Sequence, residues 1–287
     1  MADRAVEVGS SISFENVICG VDSSAESREA TSQAVVVADE GARLWAVSVW
    51  DPGLAMHAGI HASEVAADLR NASSTALAEA RRAVPGIESL LIRGGQVAGM
   101  LAAIANLEAD LVSVGAHGLS RPAGVLFGSV ATAMAHHAPC SVLIARRPEA
   151  GTFPAPIIQA TDGSVEALAA SSVAGRIAAR QGAAVTTLNV GDDPERGAEI
   201  AAGAAASIRG QGSESTPRAE TGSPPAQIIE VANEIGASLI VIGSRGMTGV
   251  RALGSVSERV AHRAPCSVLI VRPTSHPSTD SGPPGGA

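Results

Sequence analysis

A twelve-residue run occurs twice in this chain. AHHAPCSVLIAR spans 135–146 and AHRAPCSVLIVR spans 261–272, identical at ten of twelve positions. Other stretches pair in the same order. IIQATDGS answers VICGVDSS, so Asp162 corresponds to Asp22; TTLNVGD answers WAVSVWD, so Val190 corresponds to Val49; SLIVIGSRG answers DLVSVGAHG. Solenoid repeats run to about 50 residues, and this period is far longer, so it marks two copies of a domain. A length of 287 residues suits two ordinary domains.

Within each copy, short apolar runs alternate with helix-like segments. FENVICGVD (14–22), RLWAVSVWD (43–51), IESLLIR (87–93), DLVSVG and CSVLIAR read as strands. Ser23 and Ser24 can cap the helix that follows the first strand. In 98–109, Met100, Leu101, Ile104 and Leu107 fall three or four apart and share a helix face. Strands alternating with helices predict an α/β fold with a parallel, doubly wound sheet. The expected domains are 14–147 and 157–273, joined by a Pro/Gly-rich linker at 148–156. Residues 274–287 are expected to form a disordered tail. In the second copy, RGQGSESTPRAETGSP (209–224) reads partly as a flexible loop between the second and third strands.

Composition narrows the function. Aromatic residues are 2% of the chain and the net charge is −8, which argues against stacking platforms or basic surfaces for nucleic acid. No apolar run is long enough to span a bilayer. The start of the chain does not read as a signal peptide, and the three cysteines lack CxxC spacing. A cytoplasmic protein with reduced thiols is expected.

The chemistry lies in VSVGAHGLSRPAGVLFGSVA, 112–131. A strand ends in Gly115, Gly118 follows, and nine residues later Gly128-Ser129 opens a helix. Helix N-termini present unpaired N–H groups and the positive end of a dipole, so this is an anion-site pattern. No Gly-Lys-Ser/Thr follows, so it is not a Walker loop. The bland alternative is a tight strand-to-helix connection without ligand, with Asp22 and Asp162 as helix caps. Arg121, Arg245 and Arg251 either neutralise phosphate or solvate their loops. His136 and His137 sit in a helix's last turn, where a cation suits the dipole. His57 and His61 lack a metal-site context. No constellation for covalent or acid–base catalysis stands out.

Gly-x2-Gly-x9-Gly-Ser, together with Asp22, the APCSVLI-R run and the duplication, resembles the universal stress protein family in its tandem form. The resemblance implies five-stranded sheets of order 3-2-1-4-5 that pair through their last strands. Here it predicts an intramolecular pseudo-dimer through CSVLIAR and CSVLIVR, with homo-oligomers of whole chains left open. It further implies ATP or a related adenine nucleotide, with or without Mg²⁺. Asp22 and the Val49 backbone would hold the adenine and ribose end, and Gly115 would face the ribose. Gly118, Gly128, Ser129 and the Val130 amide would cradle the phosphates. Asp22 and Gly115 end the two strands that flank the reversal of strand order, where open α/β sheets bind ligands.

The second copy offers Asp162, Val190, Gly243, Gly246, Gly254, Ser255 and Val256. Its glycine spacer holds seven residues, and two missing residues remove about 7 Å of reach. The shorter loop is expected to pull the Gly254-Ser255 helix start towards the strand or to alter the turn at Gly249. The function expected is nucleotide-dependent sensing in a stress response. A nucleotide-free tandem scaffold and a weak ATPase are the alternatives.

Overall fold

The computed structural model describes residues 12–118, 127–148, 152–244 and 253–273. The tail from 274, linker residues 149–151 and the loop positions Arg121, Arg245, Gly246, Gly249 and Arg251 lie outside the described residues.

The first copy runs β1 (Asn16–Gly20), α1 (Ala25–Val37), β2 (Arg43–Trp50), a 3-10 segment (Pro52–His61), α2 (Ala62–Ala83), β3 (Glu88–Arg93), α3 (Gln96–Asn106), β4 (Leu111–Gly115), α4 (Ser129–His137) and β5 (Ser141–Ala145). The second runs β6 (Ile157–Ala160), α5 (Val165–Gln181), β7 (Val185–Val190), α6 (Pro194–Arg209), β8 (Ser215–Glu220), α7 (Pro224–Glu234), β9 (Leu239–Gly243), α8 (Ser255–Arg263) and β10 (Ser267–Val271). All ten strands form one sheet of order β3-β2-β1-β4-β5-β10-β9-β6-β7-β8. Each copy therefore has the order 3-2-1-4-5.

Pairing within each copy is parallel, and β5 meets β10 antiparallel, with Val142 opposite Ile270 and Leu143 opposite Leu269. The strand alternation sends Val142, Ile144, Val268 and Ile270 into the core under α3, α4, α7 and α8. Leu143, Leu269 and Val271 enter the opposite core, under α1, α2, α5 and α6. Both faces are covered, so β5 and β10 read as the apolar runs VLIA and VLIV.

The seam is also polar. The Arg146 guanidinium donates to Cys266 O (3.2 Å) and Ala261 O (2.6 Å), and Arg272 donates to Cys140 O (3.2 Å) and Ala135 O. The Arg146 and Arg272 amides donate to the hydroxyls of Ser267 (2.9 Å) and Ser141 (3.1 Å). Asp39 after α1 is paired with Arg180 of α5.

Two expectations change. Residues 215–220 form β8 and are not part of a flexible loop; the strand pairs with β7 and holds Pro217. Proline donates no ladder hydrogen bond, and β8 accommodates it as an edge strand. Helix α3 ends at Asn106 and does not reach residue 109, because Glu108 turns to φ 49° and closes it. No helix among the described residues is long and apolar enough to cross a membrane.

Candidate functional site

Strand β1 ends and the chain turns through Asp22, Ser23 and Ser24. Ser23 takes φ 63°. The Ser24 hydroxyl accepts from Ser27 N (3.0 Å) and caps α1. Asp22 Oδ1 in turn accepts from Ser24 N (3.0 Å) and Ser24 Oγ (2.5 Å). One oxygen of Asp22 thus serves the cap, and the other, Oδ2, points towards Gly118. A Cβ on Gly118 would stand 2.7 Å from it.

Gly118 also adjoins the helix start, since a Cβ on Gly128 would stand 3.8 Å from Gly118 N. The Gly128 amide donates to Ala116 O (2.8 Å), which pins the start of α4 to the end of β4. That amide is committed, so the donors of this helix start that lack an intrahelical partner are Ser129, Val130 and Ala131. Among the described residues no side chain caps it. Ser129 and Gly118 are exposed, and Val130 is half-buried.

Val49 contributes backbone. Val47 O accepts from Val21 N (2.9 Å) on the β1 side, and Trp50 O accepts from Gly94 N (3.0 Å) on the β3 side. A strand residue turns its N–H and C=O to one side, and neighbours alternate. Val49 therefore faces the β1 side, beyond the last β1–β2 pair at Gly20 and Val47. Its N–H and C=O thus turn to the side on which the chain leaves β1 towards Asp22.

Gly115 has a packing role that the sequence reading missed. A Cβ there would lie 2.8 Å from Glu26 Cβ, so only glycine lets α1 approach the end of β4. Gly243 stands 2.9 Å from Glu166 C by the same measure. His117, between the two glycines of the first copy, has a buried Nε2 without a hydrogen-bond partner among the described residues.

The second copy repeats much of this. Asp162 Oδ1 accepts from Ser164 N (3.0 Å), Ser164 caps α5, and Val190 ends β7. Gly254 N donates to Ser244 O at 2.8 Å, the same link and distance as in the first copy. The helix start at Gly254, Ser255 and Val256 is therefore not pulled in by the shorter loop, contrary to one branch of the expectation. Other differences remain. Gly243 is buried where Gly115 is half-buried. Ser257 Oγ donates to Gly243 O (2.7 Å), and Ala131 at the equivalent position has no hydroxyl.

The cysteines take no part. Cys19, Cys140 and Cys266 are buried and free, and burial pushes each thiol up to about 12.

Chemically, the carboxyl end of the first copy's strands brings together an acceptor carboxylate, main-chain groups at a strand end and a helix N-terminus that no described side chain caps. The sequence profile of the universal stress protein family matches residues 13–146 and 155–272. A universal stress protein of Mycolicibacterium smegmatis is 31% identical over 189 residues, 59% of this chain and 64% of that relative. Universal stress protein YxiE of Bacillus subtilis is 51% identical over 53 residues, 18% of this chain and 36% of its own length. The chain spans less than two thirds of the length of either relative. The crystal structure of a universal stress protein from Archaeoglobus fulgidus matches with a TM-score of 0.71, covering 90% of this chain and 98% of that one at 23% identity. That likeness concerns the fold. The profile match takes in both copies from end to end, and this chain belongs to the universal stress protein family.

Proposed function

We propose that the first copy binds ATP or a related adenine nucleotide, and that the protein acts in a stress response through surfaces that respond to this ligand. The observation that carries the reading is the position of Gly118, between the Asp22 carboxylate and the start of α4. A carboxylate accepts from hydroxyl or amino groups, which suits a nucleoside end. The Ser129, Val130 and Ala131 amides and the helix dipole suit phosphate. The Val49 backbone, with Asp22, serves the nucleoside end of such a ligand. A nucleotide-free scaffold is the second reading, favoured by the use of Asp22 Oδ1 as support for the Ser24 cap.

Calorimetric titration of the full chain with ATP, AMP and cyclic AMP, with and without Mg²⁺, separates the two. Binding of at least one of these by the wild type is expected. Asp22→Ala should weaken it about 10- to 100-fold, the effect of losing one charged hydrogen bond. An absence of binding to all three, in folded protein, would favour the scaffold.

A further inference from the structure

The run AHHAPC/AHRAPC makes His136 and His262 equivalent residues of the two copies. Each lies in the last turn of the helix before a fifth strand, α4 and α8. Antiparallel pairing of β5 with β10 sets those helices side by side on one face of the sheet. The two imidazoles consequently meet across the seam. Glu258 joins them, one turn before His262 on the same face of α8. His136 Nε2 lies 3.5 Å from Glu258 Oε1. One ligand atom from each of His136, Glu258 and His262 falls within 4.8 Å of the others, and all three residues are half-buried.

We propose that His136, His262 and Glu258 form a site for one divalent transition-metal ion of the zinc class, bridging the two copies. Zinc takes imidazole nitrogen and carboxylate oxygen at about 2.0–2.2 Å, which places ligand atoms about 3.3 Å apart. One pair is already at 3.5 Å, and the remaining closure is within the reach of side-chain rotation. Three protein ligands at the surface leave room for water as the fourth.

The backbone beneath the site is held. Arg272 donates to Ala135 O and Arg146 to Ala261 O, the residues immediately before His136 and His262. The Phe127 ring lies 4.3 Å, centroid to centroid, from His262 and limits the swing of its imidazole. Both features reduce the ordering that a metal must impose.

The donor set also selects. A single carboxylate suits neither Ca²⁺ nor Mg²⁺, which require oxygen ligands. Imidazole favours zinc, copper and nickel. The first copy has Thr132 where the second has Glu258, so the two-fold symmetry of the histidines is broken by one acid, and the chain forms one site. The sequence alone assigns His136 to a helix-end role, because its partners lie more than a hundred residues away.

The test is zinc titration of the untagged full chain at neutral pH against a chromogenic chelator, with Co²⁺ absorption as a geometric readout. One ion per chain is expected, with a visible Co²⁺ band of low coordination number. His136→Ala, His262→Ala and Glu258→Gln should each weaken binding at least tenfold, since even outer-shell changes have effects of that size. His137→Ala and His61→Ala should leave binding unchanged, and circular dichroism should show all five variants folded. Failure of the wild type to take up zinc at micromolar concentration would overturn the proposal. So would zinc binding that survives in folded His136→Ala and His262→Ala, or that disappears in His61→Ala.

Discussion

Arg146 of the first copy donates from Nη2 to the main-chain oxygen of Ala261 in the second, at 2.6 Å. Arg272 makes the reciprocal bond to Ala135 O. Each arginine follows the fifth strand of its own copy and satisfies carbonyls at the end of the other copy's last helix. The ends of α4 and α8 are thereby satisfied in trans. Burial brings Arg146 down to about 10, still charged at neutral pH.

Arg146→Ala would leave the Ala261 and Cys266 carbonyls without this donor. Its unfolding free energy should fall by about 2–4 kcal/mol, and Arg272→Ala should do the same. Denaturant melts of the full chain measure both. A midpoint within error of the wild type would show that water replaces these bonds without loss.

Gly118→Ala should separate binding from folding. Its Cβ would displace Asp22 Oδ2, the mobile end of a side chain. Gly118 is not among the positive-φ glycines, so no backbone strain is added. The variant should retain its stability within about 1 kcal/mol and lose about tenfold or more in ATP affinity, the equivalent of one charged hydrogen bond. Unchanged affinity would remove Gly118 from the site.

The two copies should differ in affinity for ATP, the first binding more tightly. Their helix starts are pinned alike, at 2.8 Å to Ala116 O and Ser244 O. The difference lies in two fewer loop residues between those pins and in the burial of Gly243. Calorimetry on the full chain should find one tight site, weakened about 10- to 100-fold by Asp22→Ala and kept by Asp162→Ala. Equal losses in the two variants would show that loop length does not set affinity.

Asp110 should give the fold a pH signature. Its Oδ2 accepts from Glu15 N (2.7 Å) and Asn16 N (2.9 Å), and Oδ1 is buried without a hydrogen-bond partner among the described residues. Burial outweighs those bonds and raises the carboxyl from 3.8 to about 6. The folded state then holds the proton more tightly than the unfolded one. Stability from this group falls as pH rises from about 4 to about 6 and is level above that, by about 1–2 kcal/mol after solvent screening. Asp110→Asn keeps an acceptor and removes the titration, so the wild-type-minus-variant difference in unfolding free energy should carry this slope. A difference independent of pH would assign Asp110 an ordinary pKa.

The duplication, the alternation of strands and helices, the Ser24 cap and the glycine spacing were legible in the sequence. Each is a local pattern: a period, a turn residue, a cap. The resemblance carried by those patterns supplied the strand order and the expected pairing of the fifth strands. β8 was obscured because Pro217 and its polar neighbours lack the signal of a buried strand, and pairing with β7 supplies what local preference does not.

What only the tertiary structure decided is which distant groups meet. Asp22 reaches Gly118 because β1 and β4 are sheet neighbours. Arg146 meets Ala261, and His136 meets Glu258 and His262, because β5 lies antiparallel to β10. Local patterns fix where a chain turns and which face it buries. Contacts between separate copies depend on the operation that relates them, and here one antiparallel strand pair sets that operation for every residue along the seam.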